Sequence, residues 1–227
     1  MKKFIYLLSI FSLLAKSLFA DMNDDPLRAT LLMDRLEVQD IKDSIVTWDI
    51  SAYIGKDIDK LYLYSEGSKS SEESEVQNEL VVSRAITPFW DLQGGIEHDK
   101  AESDSKVWGV IALQGLAPYF IDTRLKVKIG EDSVGVNFDF EYEALITQKL
   151  ILTPRFEMEA YSNNVPEIGM GSGLSSLSFG LRLRYEFIRE FAPYIGVNYS
   201  NSFGETKEVY GGKDSLNFII GARIWYY

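Results

Sequence analysis

The chain has no cysteine and a single histidine, His98. A disulfide framework, a thiolate metal site, lipoprotein-type acylation and a cysteine nucleophile are therefore all excluded. Methionine is scarce too. Past the first twenty residues only Met22, Met33, Met158 and Met170 remain, so soft metal ligands are few. No later stretch approaches eighteen consecutive apolar residues, which excludes an inner-membrane helix. Positive charge is also in deficit, with 23 Lys plus Arg against 34 Asp plus Glu and a net charge of -11. That balance does not suit a nucleic-acid partner, although a surface of one sign concentrates counter-ions of the other.

What is present begins with a leader. Lys2 and Lys3 precede the mostly apolar run Phe4 to Ala15, and Ser17-Leu18-Phe19-Ala20 ends before acidic Asp21. This is the pattern of a secretory signal peptide over residues 1–20, too short to span a membrane as a helix, with Asp21 as the expected mature start. Its removal takes away Lys2, Lys3 and Lys16 and no acids, which moves the net charge from -11 to -14. Residues 21–30 then read as a short periplasmic amino-terminal segment, and 31–227 as one domain.

That domain alternates apolar and polar residues almost throughout. In Val134 to Tyr142, the residues Val134, Val136, Phe138, Phe140 and Tyr142 share one face, and Asn137, Asp139 and Glu141 share the other. Leu150 to Met158, Leu177 to Phe187 and Leu216 to Tyr226 repeat the pattern, and Val46 to Ile54, Trp90 to Ile96 and Ile121 to Ile129 follow it nearly as well. Val76 to Ile86 and Val107 to Leu113 are ambiguous, because Val81-Val82 and Trp108-Gly109-Val110 blur the period. Strands with one apolar and one charged face need two solvents. In a soluble sandwich the apolar face meets a protein core, whereas in an outer-membrane barrel it meets lipid around a wet lumen.

The connections favour the barrel. Short ones at Gly55 to Asp59, Thr87 to Phe89, Gly115 to Pro118, Ile146 to Lys149 and Ile188 to Ala192 alternate with mostly longer polar ones. The longer set is Ser68 to Glu75, Asp99 to Ser105, Gly130 to Ser133, Tyr161 to Gly173 and Phe203 to Asp214. Bacterial barrels have short periplasmic turns and long external loops, so the alternation supplies an orientation. Parity then requires a strand near Leu31 to Val38, despite its poor alternation, and the expected fold is an all-β, antiparallel, up-and-down transmembrane barrel of about twelve strands. Aromatic residues near strand ends, such as Trp48, Trp90, Tyr119, Tyr185 and Tyr226, suit interfacial girdles. Outer-membrane lipid is thus one expected partner.

The water-side face carries Asp49, Glu66, Asp91, Glu97, Asp122, Arg124, Lys126, Lys128, Asp139, Glu141, Glu143, Arg155, Glu157, Glu159, Arg182, Arg184 and Arg223. Either even register of the hairpin closed by Ile146 to Lys149 sets Arg155 opposite Asp139 or Glu141, so a bidentate pair is expected. The simpler reading is a narrow lumen filled by paired charges; the alternative is a selective path between a basic wall (Arg124, Lys126, Lys128) and an acidic one (Glu141, Glu143, Glu157, Glu159). The segment Tyr161 to Gly173, rich in turn residues, reads as a solvated external loop, with folding into the mouth as the alternative.

Several long strings resemble the copper resistance protein B family of outer-membrane barrels. They include Leu31-Leu32-Met33-Asp34-Arg35-Leu36-Glu37, Ser83-Arg84-Ala85-Ile86-Thr87-Pro88-Phe89-Trp90-Asp91-Leu92-Gln93-Gly94-Gly95 and Gln114-Gly115-Leu116-Ala117-Pro118-Tyr119-Phe120. Leu145-Ile146-Thr147-Gln148-Lys149-Leu150-Ile151-Leu152-Thr153-Pro154-Arg155, Arg189-Glu190-Phe191-Ala192-Pro193-Tyr194-Ile195-Gly196-Val197 and the ending Gly221-Ala222-Arg223-Ile224-Trp225-Tyr226 continue the series. The resemblance implies a non-catalytic outer-membrane protein of copper tolerance, with copper as a bound or transported ion and a periplasmic copper protein as a partner. Family members often carry a Met- and His-rich amino-terminal extension thought to hold copper; here Asp21 to Thr30 takes its place, with Met22 alone.

Cu(I) prefers thioether and thiolate ligands and Cu(II) prefers imidazole, which leaves Met22, His98 and Met170 as the candidate metal ligands. Met158 falls on the lipid-facing parity. A small-solute porin without metal preference is the alternative function. A lipid hydrolase is a further rival and would need His98 beside a nucleophile such as Ser83 or Ser105.

Overall fold

A computed structural model describes residues 26–39, 45–70, 74–101, 104–212 and 214–226. The signal peptide and Met22 lie outside the described residues. Thirteen strand segments follow one another: β1 Arg28–Gln39, β2 Ile45–Gly55, β3 Asp59–Lys69, β4 Ser74–Thr87, β5 Trp90–Ala101, β6 Asp104–Ala117 and β7 Ile121–Ile129. They continue with β8 Val134–Tyr142, β9 Ala144–Leu145, β10 Leu150–Tyr161, β11 Gly173–Tyr185, β12 Phe191–Ser202 and β13 Ser215–Tyr226. β8 and β9 are two pieces of one stave, interrupted at Glu143, and both pair with β10. Each stave pairs antiparallel with its sequence neighbours, and β1 pairs with β13, so twelve staves close into a barrel with no free edge. No described helix is long and apolar enough to cross a membrane; the crossing is made by strands.

The alternation read from the sequence sets the two faces. Leu63, Val82, Ile96, Val107, Phe179, Ile195 and Phe218 stand on the outside, each at least half exposed where lipid would lie. The strand expected from Leu31 begins three residues earlier, at Arg28, because Arg28, Ala29 and Thr30 pair with Gly55, Ile54 and Tyr53. Its poor alternation has a structural cause. Between Met33 and Arg35 the pairing with β2 skips Asp34, and the same two residues disturb the pairing with β13. This β-bulge puts consecutive Asp34 and Arg35 both into the lumen, and the inward parity changes from Thr30, Leu32 and Asp34 to Arg35, Glu37 and Gln39.

The two ambiguous strands also have a cause. On β4 and β6 the inward positions Val81, Trp108, Val110 and Ala112 are apolar, so the inner face is locally as apolar as the outer one and the period blurs there. They form an internal stripe with Tyr64 and Tyr161, and the segment between β10 and β11 closes over it. That segment contains a 3₁₀ turn, Pro166–Ile168, and buries Val165 and Ile168 against Trp108 and Tyr161. The expectation of a solvated loop is therefore corrected. Two apolar side chains find a dry stripe below them, Lys106 Nζ bonds Glu167 at 2.9 Å, and the Thr206 hydroxyl accepts from the Gly171 amide at 2.8 Å. Thr206 belongs to the short helix α1, Gly204–Glu208, in the next loop.

Glycines supply room on the opposite wall. A Cβ at Gly221 would stand 2.7 Å from the Tyr194 ring, and one at Gly180 would stand 2.1 Å from Arg182 Nη1. Only hydrogen at these positions lets both large side chains lie flat on the sheet.

Candidate functional site

The lumen holds two arrangements of charge. On the wall of β4 to β7, the basic side chains of β7 lie across β6, where Ala112 and Val110 stand opposite Lys126 and Lys128 and leave room for their stems. Arg124 Nη2 meets Glu79 at 2.5 Å, Lys126 bridges Glu79 at 3.3 Å and Glu97 at 2.5 Å, and Lys128 bridges Glu97 at 2.5 Å and Asp99 at 3.3 Å. The Trp108 indole donates to Asp99 at 2.9 Å and closes the ladder. Glu79 and Glu97 are register partners on β4 and β5, so two carboxylates face each other and hold only because cations lie between them. Lys128 is fully buried, and Glu97, Asp99 and Glu79 are nearly so. Below the ladder, Gln93 donates to Tyr64 and Gln114, and the Arg124 guanidinium lies 4.2 Å from the centre of the Tyr64 ring.

The second arrangement crosses the lumen. Arg155 on β10 is the register partner of Glu141, yet its bidentate pair is made diagonally to Asp139, with Nε to Oδ1 at 3.0 Å and Nη2 to Oδ2. The predicted pair is thus present. The same guanidinium reaches Asp49 on β2, most of the way across the ring, at 3.1 Å. Arg35, delivered by the bulge, returns the contact: its Nε and Nη2 both donate to Asp49 Oδ2, at 3.2 and 3.0 Å, and its Nη1 bonds Glu157 on β10 at 3.0 Å. Asp34, Glu66 and Glu141 complete the layer, each within 4.0 Å of one of the two arginines. With Arg223, which holds Asp34 at 2.8 Å, three guanidiniums therefore face six carboxylates at this waist.

A chamber of about 410 Å³ opens on the loop side of the waist, lined by Glu66, Glu75, Glu157, Glu159, Arg182 and the small polar Ser176, Ser178, Asn198 and Ser200 among others. A second, of about 370 Å³, lies on the turn side, lined by Asp34, Asp122, Glu141, Gln114 and Arg223 among others. Arg155, Arg124, Asp139 and Glu66 border both. Farther around the wall, Arg182 holds Glu37 at 2.6 Å with the Tyr194 hydroxyl donating to the same carboxylate at 3.0 Å. At the turn end Glu143 accepts from Arg184 at 2.7 Å and Arg223 at 2.6 Å, and Arg223 also meets Asp34 at 2.8 Å.

All ten residues expected in a lumenal charge network line this interior: Asp122, Arg124, Lys126, Asp139, Glu141, Arg155, Glu157, Arg182, Arg184 and Arg223. Asp34, Arg35, Glu37, Glu79 and Asp99 belong with them and were missed. The first two are hidden by the bulge, Glu79 sits in a strand of blurred period, and Asp99 falls in the stretch Asp99 to Ser105 that reads as a connection although β5 continues to Ala101. Two-residue spacing from Glu97 was the signal for Asp99.

Of the expected metal ligands, His98 and Met170 are not brought together. His98 is exposed on the outer face between inward Glu97 and Asp99, whereas Met170 packs inside against the apolar stripe. A wall separates them. Among the described residues no group of three or more His, Cys, Asp and Glu is arranged to hold a metal ion. Ser83 is parted from His98 in the same way, since it is buried on the inner face and bonds Asp91 at 3.2 Å, whereas Ser105 is exposed on the outer face of the adjoining strand.

A closed, twelve-stave barrel with lipid-facing apolar residues and a wet, charge-paired interior is an outer-membrane β-barrel. Its fold is like that of the NanC porin, with a TM-score of 0.56 at 12% identity over 88% of this chain and 100% of that one. The KdgM porin gives 0.51 at 12% identity over 87% and 99%. Within that class the chain belongs to the copper resistance protein B family, whose model, "Copper resistance protein B precursor (CopB)", matches residues 27–226. It is 35% identical over 212 residues to copper resistance protein B of Escherichia coli, and 36% over 215 residues to the copper resistance protein B homolog of Pseudomonas syringae pv. tomato. Each alignment covers 90% of this chain and 72% of the relative.

Proposed function

We propose that this barrel serves copper resistance from the outer membrane, as a non-enzymatic, cation-favouring passage that Arg35 and Arg155 hold shut at the waist. The observation that carries the reading is the imbalance there: three guanidiniums, those of Arg35, Arg155 and Arg223, among six carboxylates form a layer of cross-lumen ion pairs with acid in excess. Such a layer repels anions and accommodates cations, because a focused negative potential raises the local cation concentration. Copper is the cargo in this reading. Carboxylate oxygens are poor ligands for Cu(I) and modest ones for Cu(II), so an ion admitted here is released readily. A tight store would need thioether or imidazole.

The test is conductance of the full chain in planar bilayers, beside survival of a copper-sensitive host that expresses it. The expected result is low conductance for the native barrel, a cation-selective increase in Arg155→Gln, and copper tolerance that depends on the native waist. Steady native conductance that does not discriminate between small cations and anions would make the protein a general porin instead.

A further inference from the structure

The outer wall of the barrel is apolar over most of its area. On the outward positions of the described strands, the charged or imidazole side chains are Asp59 and Arg84 at the turn end and Lys69, His98 and Lys100 at the loop end. The loop end of this wall is therefore positive, in a chain whose net charge is -11. The positive groups stand together. His98 and Lys100 are successive outward residues of β5, and register pairs Lys100 with Val76 and Lys69 with Ser74, two residues nearer the loops on β4. Strands about 4.8 Å apart with a rise of about 3.4 Å per residue set the two lysine Cα atoms roughly 12 Å apart. Both lysines are exposed, and neither makes an ion pair among the described residues.

Neighbouring side chains fix the depth of the patch. Trp48, Gly67, Val76 and Lys100 are successive register partners, and the Trp48 indole donates to the Ser65 hydroxyl at 3.4 Å. An indole held in this way marks the level of lipid headgroups. In the next row toward the turns, Ser65, Asn78 and His98 are successive partners, so hydroxyl, amide and imidazole line up just beneath the lysines. Below that row the wall turns apolar and carries a furrow. Gly94 and Gly109, diagonal neighbours across β5 and β6, face outward among exposed Ile96, Val107 and Ile111. A Cβ would meet nothing closer than a carbonyl oxygen, at 3.9 Å from Gly94 and 3.7 Å from Gly109. Packing does not demand glycine at either position, and glycine weakens a strand; such a glycine suits the close approach of a ligand.

We propose that the outer wall of β3 to β6 binds a phosphorylated lipid of the outer leaflet at its loop end. The phosphate lies on Lys69 and Lys100, headgroup hydroxyls meet Asn78 and His98, and an acyl chain follows the furrow at Gly94 and Gly109. Charge complementarity selects this occupant. Ammonium groups at headgroup depth attract phosphate, whereas a second barrel would bring the same positive patch and be repelled. The inference rests on the loops facing outward from the outer membrane, and it is independent of the passage proposed above.

The test is native mass spectrometry of the full chain refolded in detergent. The probes are bisphosphorylated lipid A, the same lipid stripped of its phosphates, and inorganic phosphate. One phosphorylated lipid per barrel should bind, about thirtyfold more tightly than its stripped form, the effect of two lysines at an anionic headgroup. Lys69→Gln/Lys100→Gln should remove that preference, and Lys69→Arg/Lys100→Arg should keep it. Arg84→Gln, at the turn end, should also keep it, and Gly94→Leu/Gly109→Leu should weaken both lipids alike. Lys69 and Lys100 are exposed, so the glutamine pair keeps the fold, and the arginine pair controls for it. Equal affinity for the two lipids overturns the proposal, as does a preference that survives in the glutamine pair. Inorganic phosphate bound as tightly as the lipid also overturns it and assigns the patch to a soluble anion. A dimer that forms in place of the lipid complex overturns it too, and assigns the face to a second copy of the chain.

Discussion

The ladder on β4 to β7 and the waist between β1, β2, β8 and β10 use the same residue types for opposite ends. In the ladder, cations and anions alternate one by one, each inner ion is shared by two neighbours, and burial is nearly complete. At the waist, charge does not balance and the flanking carboxylates are wetter; side-chain exposure is 31% for Glu157 and 39% for Glu66, around a buried centre of Arg155 at 7% and Asp49 at 11%. A dry, balanced row cannot rearrange without stranding an ion, whereas a wet, unbalanced one can exchange its partners for water or for a passing cation. The first arrangement stiffens one half of the barrel. The second leaves a place where the lumen can yield.

Substitutions that unbalance the ladder should have the largest effect. Lys128→Met leaves Glu97 and Asp99 buried with one cation fewer and should cost about 3–5 kcal/mol, read as a lower midpoint in urea unfolding of the refolded barrel. Lys128→Met combined with Glu97→Gln should recover part of the loss. Next comes Ile168→Asp, which sets a carboxylate against the apolar stripe and should cost about 2–3 kcal/mol with release of the covering segment to protease. If stability falls while the segment stays protected, the stripe is not what seats it.

The waist should respond in conductance before stability. Arg155→Gln should raise single-barrel conductance about tenfold, the effect of ~1.4 kcal/mol off a barrier, while the unfolding midpoint moves less than in Lys128→Met. Equal conductance in both variants would end the contrast between the two regions. The smallest effect belongs to the rim. The Lys106 ammonium holds the Glu167 carboxyl below its ordinary value through their hydrogen bond. A depressed carboxyl stabilises above its unfolded pKa and stops doing so as pH falls through the lower folded value. Hydrogen exchange in 162–172 should therefore rise at acid pH by well under 1 kcal/mol, and Glu167→Gln should remove that dependence.

Much of this was legible in the sequence, and what was not has identifiable causes. Alternation in β7, β8 and β10 gave the faces, the strand count and the Arg155 to Asp139 pair, because a period of two is unambiguous when one face meets lipid. It failed where both faces were apolar, as at Val81-Val82 and Trp108-Gly109-Val110, and where the period broke, as at Asp34-Arg35. Contacts across the lumen, such as Arg155 with Asp49, join residues 106 apart in the chain and follow from closure, which no local pattern contains. The family resemblance was sound for the barrel, and the match over 27–226 bears it out. Chemistry alone had gathered Met22, His98 and Met170; the wall between His98 and Met170 parts them.

The bulge in β1 also acts as a phase marker for the chain. Before it, even-numbered residues look inward; after it, odd-numbered ones do. Loss of Asp34 would restore a regular ladder and leave every later side chain on its present face. It would also leave Thr30 and Leu32 inward and Leu31 and Met33 toward lipid, because the bulge is one extra position between two halves of opposite parity. The first six residues of β1 therefore sit one number out of phase with the rest of the strand, and strict two-residue counting carried across position 34 misassigns which of them meet water.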